Sequence, residues 1–99
     1  MEDNRMSNTA LADGYTMYRG KPLVRQGAQL CWGDLKDKYV LVLGIMTQKK
    51  VSGHDIPDQI LIQIQSTADK KVVRFGTKNG LFEAFEYGSA WLEQELAKN

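Results

Sequence analysis

The sequence predicts an α+β fold, in which a small, mainly antiparallel sheet of four to five strands carries one C-terminal helix packed on one face. Three segments support this prediction. Residues 39–46 are strand-sized and almost wholly apolar, residues 59–67 alternate between apolar and polar side chains, and residues 80–97 space their apolar side chains as in a helix. Strands followed by one helix are typical of α+β domains, where the helix covers one sheet face.

Length and composition predict a single soluble domain. The chain has 99 residues, of which 42% are hydrophobic and 25% charged, as in an average globular protein. No apolar run approaches the ~18 residues that a membrane helix needs, so we expect no membrane partner. Residues 1–13 are polar and lack the apolar stretch of a signal peptide. We therefore expect residues 1–13 to be a disordered tail and residues 14–99 to form the domain.

The single cysteine, Cys31, excludes an internal disulfide and favours a cytoplasmic location. Charge is unevenly distributed along the chain. Residues 1–14 carry a net charge of −2, residues 15–78 of +6, and residues 79–99 of −3. A basic sheet beside an acidic helix could steer an anionic partner, or the two regions could simply complement each other within the fold.

The N-terminal part of the domain has the composition of short strands. Residues 15–18 are rich in tyrosine and threonine, and Pro22 belongs at a strand start or on an edge because proline cannot donate to a ladder. Residues 23–26 and 29–32 flank Gly27 and predict a hairpin.

The central strand, residues 39–46, has apolar side chains on both faces and therefore needs cover on both sides. Gly44 within it predicts a bulge or a close approach of the backbone. Residues 59–67 form the one-sided strand of an antiparallel sheet, with one dry face and one wet face. The face predicted to be dry carries Ile60, Ile62 and Ile64, and the other carries Leu61, Gln63 and Gln65.

Residues 48–58 predict a long hairpin whose tip carries Lys49, Lys50 and His54. Residues 71–75 have the composition of a short strand but could also lead directly into the helix. For the helix, Asn79 is the predicted N-cap, and Gly88 lies within the apolar stripe, where it would let the helix approach the sheet closely. The predicted core comprises Trp91, Phe85, Leu92, Ile60, Ile62 and Ile64.

Four segments, residues 18–25, 37–40, 79–84 and 91–93, resemble a family of small uncharacterised bacterial proteins. The resemblance covers about residues 15–97. It implies the same domain boundaries, and it carries over no functional residue because no activity is assigned to that family.

No motif specifies a reaction, a metal or a cofactor. Cys31 and His54 are the only residues of their kinds. A nucleophilic pair would need them within hydrogen-bond reach, and a structural zinc site would need four ligands. The position of Cys31 beside Trp32 in a strand is typical of a buried, inert thiol. The position of His54 in a predicted turn indicates a solvated side chain. We therefore expect a protein without catalytic residues, metal or cofactor.

The sequence instead predicts a protein-interaction module. If one helix covers one sheet face, the outward side chains form an apolar strip, and such strips mark interfaces. The predicted interface residues are Val40, Val42, Met46 and Leu61. A second copy of the chain could cover them in a weak homodimer, or an unidentified protein could do so. Alternatively the N-terminal hairpin could curl over them, using Leu23, Val24, Leu30 and Trp32.

The alternative function is single-stranded nucleic-acid or other anion binding on the basic sheet region. Nucleic-acid binders combine basic grooves with aromatic side chains on which bases stack. Tyr15, Tyr18 and Trp32 lie close in sequence to several cations, although no signature of a known nucleic-acid module is present. The predicted anion-binding residues are Arg19, Lys21, Arg25, Lys49 and Lys50.

Overall fold

The structure is a computed structural model that describes residues 15–98. The predicted tail, residues 1–13, lies outside the described residues. Within residues 15–98, eight strands precede one helix: β1 Tyr15–Tyr18, β2 Lys21–Gln26, β3 Gln29–Trp32, β4 Tyr39–Ile45, β5 Gln48–Val51, β6 His54–Pro57, β7 Gln59–Ser66, β8 Val72–Asn79 and α1 Leu81–Ala97.

The main sheet has six antiparallel strands in the order β1-β2-β3-β4-β7-β8, and β5 and β6 form a separate two-stranded ribbon. The predicted α+β class and the single C-terminal helix are confirmed, whereas the predicted strand count of four to five is too low. The outer strand β1 pairs with β2 along its whole length, and β8 pairs with β7 from Asn79 back to Val72 except at Val73.

β4 through β7 form one long hairpin. Ile45 lies opposite Ile60 within the main sheet, and Val51 lies opposite His54 in the ribbon, so the register is the same in both. The Met46 N–H donates to the Gln59 carbonyl at 2.8 Å and bridges the two parts. We call residues 48–57 the arm. The predicted long hairpin is thus confirmed, with Lys49, Lys50 and His54 exposed on its outer part.

The passage from β8 to α1 differs from the sequence prediction. Asn79 is not the N-cap of the helix, because it still pairs with Gln59 at the end of β8. Gly80 is the N-cap and has a φ of +89°, a conformation that glycine adopts without steric cost. Residues 72–79 are therefore one continuous strand, longer than the predicted segment 71–75.

The core lies between α1 and strands β4, β7 and β8, and we call this side of the sheet the helix side. The predicted faces of β4 and β7 are confirmed. Their helix-side residues Leu41, Leu43, Ile60, Ile62 and Ile64 are buried together with Trp32, Ala84 and Leu92, and Phe85 and Trp91 pack against them. Gly44 pairs regularly with Leu61, so no bulge occurs there; the irregularity lies between Ile64 and Gln65.

Candidate functional site

The opposite side of the sheet, which we call the helix-free face, carries no charged strand residue. Directly paired residues of antiparallel strands share a face, so the register assigns the paired side chains of the six-stranded sheet to one side or the other. The described helix-free side chains are Met17, Pro22, Val24, Gln26, Gln29, Cys31, Val40, Val42, Gln59, Leu61, Gln63, Gln65, Val72, Phe75, Thr77 and Asn79.

All four charged residues of the six-stranded sheet belong to the helix side: Lys21, Arg25, Arg74 and Lys78. Arg74 lies over the Trp91 ring at 4.4 Å, and the Lys78 Nζ lies 3.9 Å from the centre of the Tyr87 ring. These contacts with aromatic rings of α1 explain how two charged side chains can lie on the side of the sheet that carries the core. The result is a six-stranded sheet with one uncharged face.

A groove of about 500 Å³ crosses the helix-free face. Its apolar lining includes Val24, Cys31, Val40 and Val42, and its rim carries polar and exposed loop residues, namely Asp34, Leu35, Thr67 and Lys70. Gly33 shapes one end. With a φ of +145°, its backbone lies so close to Val40 that an added Cβ would be 2.9 Å from Val40 Cγ1.

The predicted interface residues belong to this face or its edge. Val42 is 5% exposed and therefore buried, whereas Met46, just beyond β4, is 56% exposed. Val40 and Leu61 are half-buried. The alternative prediction, in which the N-terminal hairpin curls over these residues, is wrong for three of the four side chains that would cover them. Leu23, Leu30 and Trp32 pack into the helix-side core, and only Val24 shares the helix-free face.

Sequence reasoning missed Phe75, which is paired with Gln63 on the helix-free face and is 72% exposed. Its strand was not firmly predicted, so its face could not be assigned. Met17 and Val72, also exposed and on this face, were missed for the same reason. With these three residues the apolar surface reaches both edges of the sheet.

Cys31 lies in the groove on β3, and its thiol is half-buried. Burial raises the pKa of the Cys31 thiol, while the positive charge of Lys70 partly opposes that rise. A raised pKa keeps the thiol protonated and makes it a poor nucleophile at neutral pH. His54 is exposed on the arm, in a different part of the molecule. Within residues 15–98, no group of three or more His, Cys, Asp or Glu side chains is placed to hold a metal.

The five predicted anion-binding residues do not form one basic surface. Three of them pair with carboxylates: Arg19 with Glu86 at 2.9 Å, Lys21 with Asp37 at 3.2 Å and Lys50 with Asp55 at 2.9 Å. Arg25 Nε donates to the Gly27 carbonyl at 3.2 Å, and Lys49 lies on the arm.

Two of the aromatic side chains near these cations, Trp32 and Tyr18, are engaged within the fold. Trp32 is buried, and its indole N–H donates to the Tyr18 carbonyl at 2.8 Å. Tyr18 packs edge-on against Phe85, with ring centres 5.2 Å apart. Neither ring is presented as an open stacking platform of the kind that single-strand binders use.

The chain matches none of the protein-family models, curated proteins or solved structures with which it was compared. Membership of the bacterial family suggested by the sequence therefore stays a prediction. In the part of the chain that the structure describes, no helix combines the length and apolarity needed to cross a membrane.

Proposed function

We propose that this chain is a non-enzymatic protein-interaction module that associates with a second copy of itself through the helix-free face. The observation that carries the proposal is the uncharged character of this face together with its apolar groove. Solvent-facing protein surfaces ordinarily mix charges of both signs, whereas the centres of interfaces are depleted of charge. Aromatic residues are enriched at interfaces, and Phe75 is an aromatic residue exposed on this face.

The charge distribution favours a second copy as the partner. Residues 15–78 carry a net charge of +6, so most contacts between two sheets would bring like charges together. The helix-free face avoids this repulsion because its strand residues are neutral. Its polar groups are largely amides, and Gln65 Nε2 already donates to Gln63 Oε1 at 3.1 Å. Amides both donate and accept, so this face can pair with an identical one.

The size of the face fits a weak dimer. Six strands spaced ~4.8 Å apart and about 20 Å long give it an area of about 500 Å². Stable complexes bury ~800 Å² on each partner, so the expected association is reversible and concentration-dependent. A twofold axis through the face would stack the two sheets and leave both α1 helices on the outside.

Two exposed phenylalanines provide a matched test of the proposal. Phe75 on the helix-free face is 72% exposed, and Phe82 on α1 is 74% exposed, so replacing either disturbs the folded monomer little. In sedimentation equilibrium of the full chain, Phe75→Ser should raise the dimer dissociation constant at least about tenfold. Phe82→Ser should leave it unchanged.

Two results would contradict the proposal. One is a strictly monomeric chain at the highest soluble concentration, and the other is equal weakening of the dimer by both substitutions. Circular dichroism melting of each variant establishes that the fold is retained before the association constants are compared.

A further inference from the structure

The exposed ring of Phe75 and the groove lie in one row across the helix-free face. The register sets five directly paired side chains side by side on five neighbouring strands, in the order Phe75, Gln63, Val42, Cys31 and Val24. Phe75 stands at one end of this row and is 72% exposed. The three residues at the other end line the groove. The face therefore carries a projecting aromatic ring and an apolar groove at the same position along its strands.

The groove has room for a phenyl ring, but the ring of its own chain cannot reach it. An apolar cavity of about 150 Å³ is enough to hold benzene, and the groove measures about 500 Å³. β8, which carries Phe75, is three strand intervals away from β3, at the middle of the groove, which is a distance of about 14 Å. A phenylalanine that fills the groove must therefore come from another molecule.

A twofold axis parallel to the strands, lying between two stacked sheets, brings ring and groove together. Rotation about such an axis keeps each residue at its own position along the strands and reverses the order of the row. If the axis runs between β4 and β7, then β8 of each copy lies over β3 of the other. Both rings then meet a groove at once, which is the reciprocal contact that a twofold dimer requires.

The same axis makes a second pair of features complementary. It places β4 of one copy over β7 of the other, and Gly44 on β4 is directly paired with Leu61 on β7, so the two lie at the same position along the strands. Gly44 has no side chain and leaves space there for the half-buried Leu61 of a second copy. An axis perpendicular to the strands would instead set each strand over its own counterpart, so that groove would face groove.

We infer that Phe75 of each copy inserts into the groove of the other, where its ring lies over Cys31 and between Val24 and Val42. This inference rests on the proposed dimer and specifies how its two faces fit together. Phe75 thereby determines the choice of partner, because ring and groove match only across the twofold axis.

A thiol cross-link tests this contact. One chain carries Phe75→Cys together with Cys31→Ser, and the other is the parent chain, whose only thiol is Cys31. At mildly alkaline pH, where the thiol of Cys31 reacts more readily, a short bis-maleimide should join these two chains to each other. It should not join two copies of the Phe75→Cys chain. The control, Phe82→Cys with Cys31→Ser, has its thiol at an exposed position of α1 and should give no product with the parent chain.

Two variants that each remove one half of the contact should complement each other. Phe75→Ser lacks the ring, and Val24→Phe fills the groove from within, so each alone should dimerise at least about tenfold more weakly than the parent chain. An equimolar mixture retains one ring and one open groove. Its mixed dimer should therefore be tighter than either homodimer in sedimentation equilibrium with one chain labelled, after circular dichroism melting has shown that both variants are folded.

The results separate this inference from the proposed dimer. Cross-linking between two Phe75→Cys chains, or a mixed dimer no tighter than the two homodimers, would overturn the insertion of Phe75 into the groove and leave a dimer through the helix-free face standing. A strictly monomeric parent chain would overturn both.

Discussion

At the scale of single residues, Gly88 sets the distance between helix and sheet. A Cβ at this position would lie 2.6 Å from Leu41 Cδ1 and 3.2 Å from Ile62 Cγ2. Both neighbours are fully buried, so the surrounding core leaves them little room to shift. The sequence showed only a glycine within an apolar helical stripe, and close approach was the correct interpretation of it.

Overpacking a core costs about 1–3 kcal/mol, and a Cβ only 2.6 Å from Leu41 Cδ1 favours the upper part of that range. Alanine gains ~1 kcal/mol over glycine from helix propensity, so we expect Gly88→Ala to destabilise the fold by a net of about 1–2 kcal/mol. Gly44→Ala is the matched control, because its added Cβ would lie 4.0 Å from the nearest atom, Leu61 Cβ. Urea denaturation measures both variants, and a Gly88→Ala chain as stable as the parent would contradict the close packing.

Cys31 gives a pH-dependent prediction at the same scale. Burial raises the pKa of its thiol, so the folded chain retains the thiol proton to higher pH than the unfolded chain does. The stabilisation from this protonated thiol is complete below the ordinary thiol pKa, and it is lost as pH rises through the raised pKa of the fold. Reaction of Cys31 with a thiol reagent should therefore be slower in the folded chain than in urea, and should accelerate as pH rises.

Lys70→Gln should slow this reaction further, because it removes the charge that opposes the rise in the pKa of Cys31. Lys36→Gln, which changes an exposed lysine outside the groove lining, is the matched control. Equal rates for the folded and the urea-unfolded chain would show that the groove does not shield the thiol.

At the scale of elements, the helix and the two central strands could be predicted because their signals are local. The two-residue period of residues 59–67 and the helical period of residues 81–96 each record which side of the element is buried. The outer strands lack such a signal. In β8 the cations Arg74 and Lys78 lie on the helix side, where they cover aromatic rings of α1, so hydrophobicity does not alternate along the strand.

The candidate surfaces depend on register, and register is not a local property. The pairing of Val24 with Cys31 and of Cys31 with Val42 aligns three apolar side chains across three strands and creates the groove. A shift of one residue in β2 would have placed Leu23 there instead. The sequence could therefore suggest an apolar strip on β4 but not its extension across the sheet to Phe75.

The outer edge of β8, which has no neighbouring strand among the described residues, is less suited to association than the helix-free face. Its ladder with β7 is irregular near Val73, and an irregular strand end is a poor template for a further strand. Two β8 strands paired around Gly76 would also set Arg74 of one copy opposite Lys78 of the other, and such like-charge pairs are destabilising. These features disfavour pairing through β8 and agree with the proposed association through the helix-free face.

At the scale of the whole molecule, the positive charge of the sheet region is dispersed, and part of it is paired within the fold. Arg19 pairs with the acidic helix through Glu86, and Lys21 and Lys50 pair with nearby aspartates. The charge asymmetry of the sequence therefore has a structural use, because the ion pair between Arg19 and Glu86 joins the turn between β1 and β2 to α1. Among the predicted anion-binding residues, only Arg25 and Lys49 lack a described carboxylate partner, and they lie on β2 and on the arm.

This arrangement predicts that the chain does not retain single-stranded nucleic acid. Counterion release from several cations held along one path is what gives such binding its strength and its steep dependence on salt. With the unpaired members of the predicted set split between β2 and the arm, a labelled mixed-sequence oligonucleotide should stay unbound at tens of micromolar protein and low salt. Binding that weakens steeply as salt rises and is lost in Lys49→Gln, but not in the control Lys36→Gln, would contradict this prediction and would make the arm an anion-binding element.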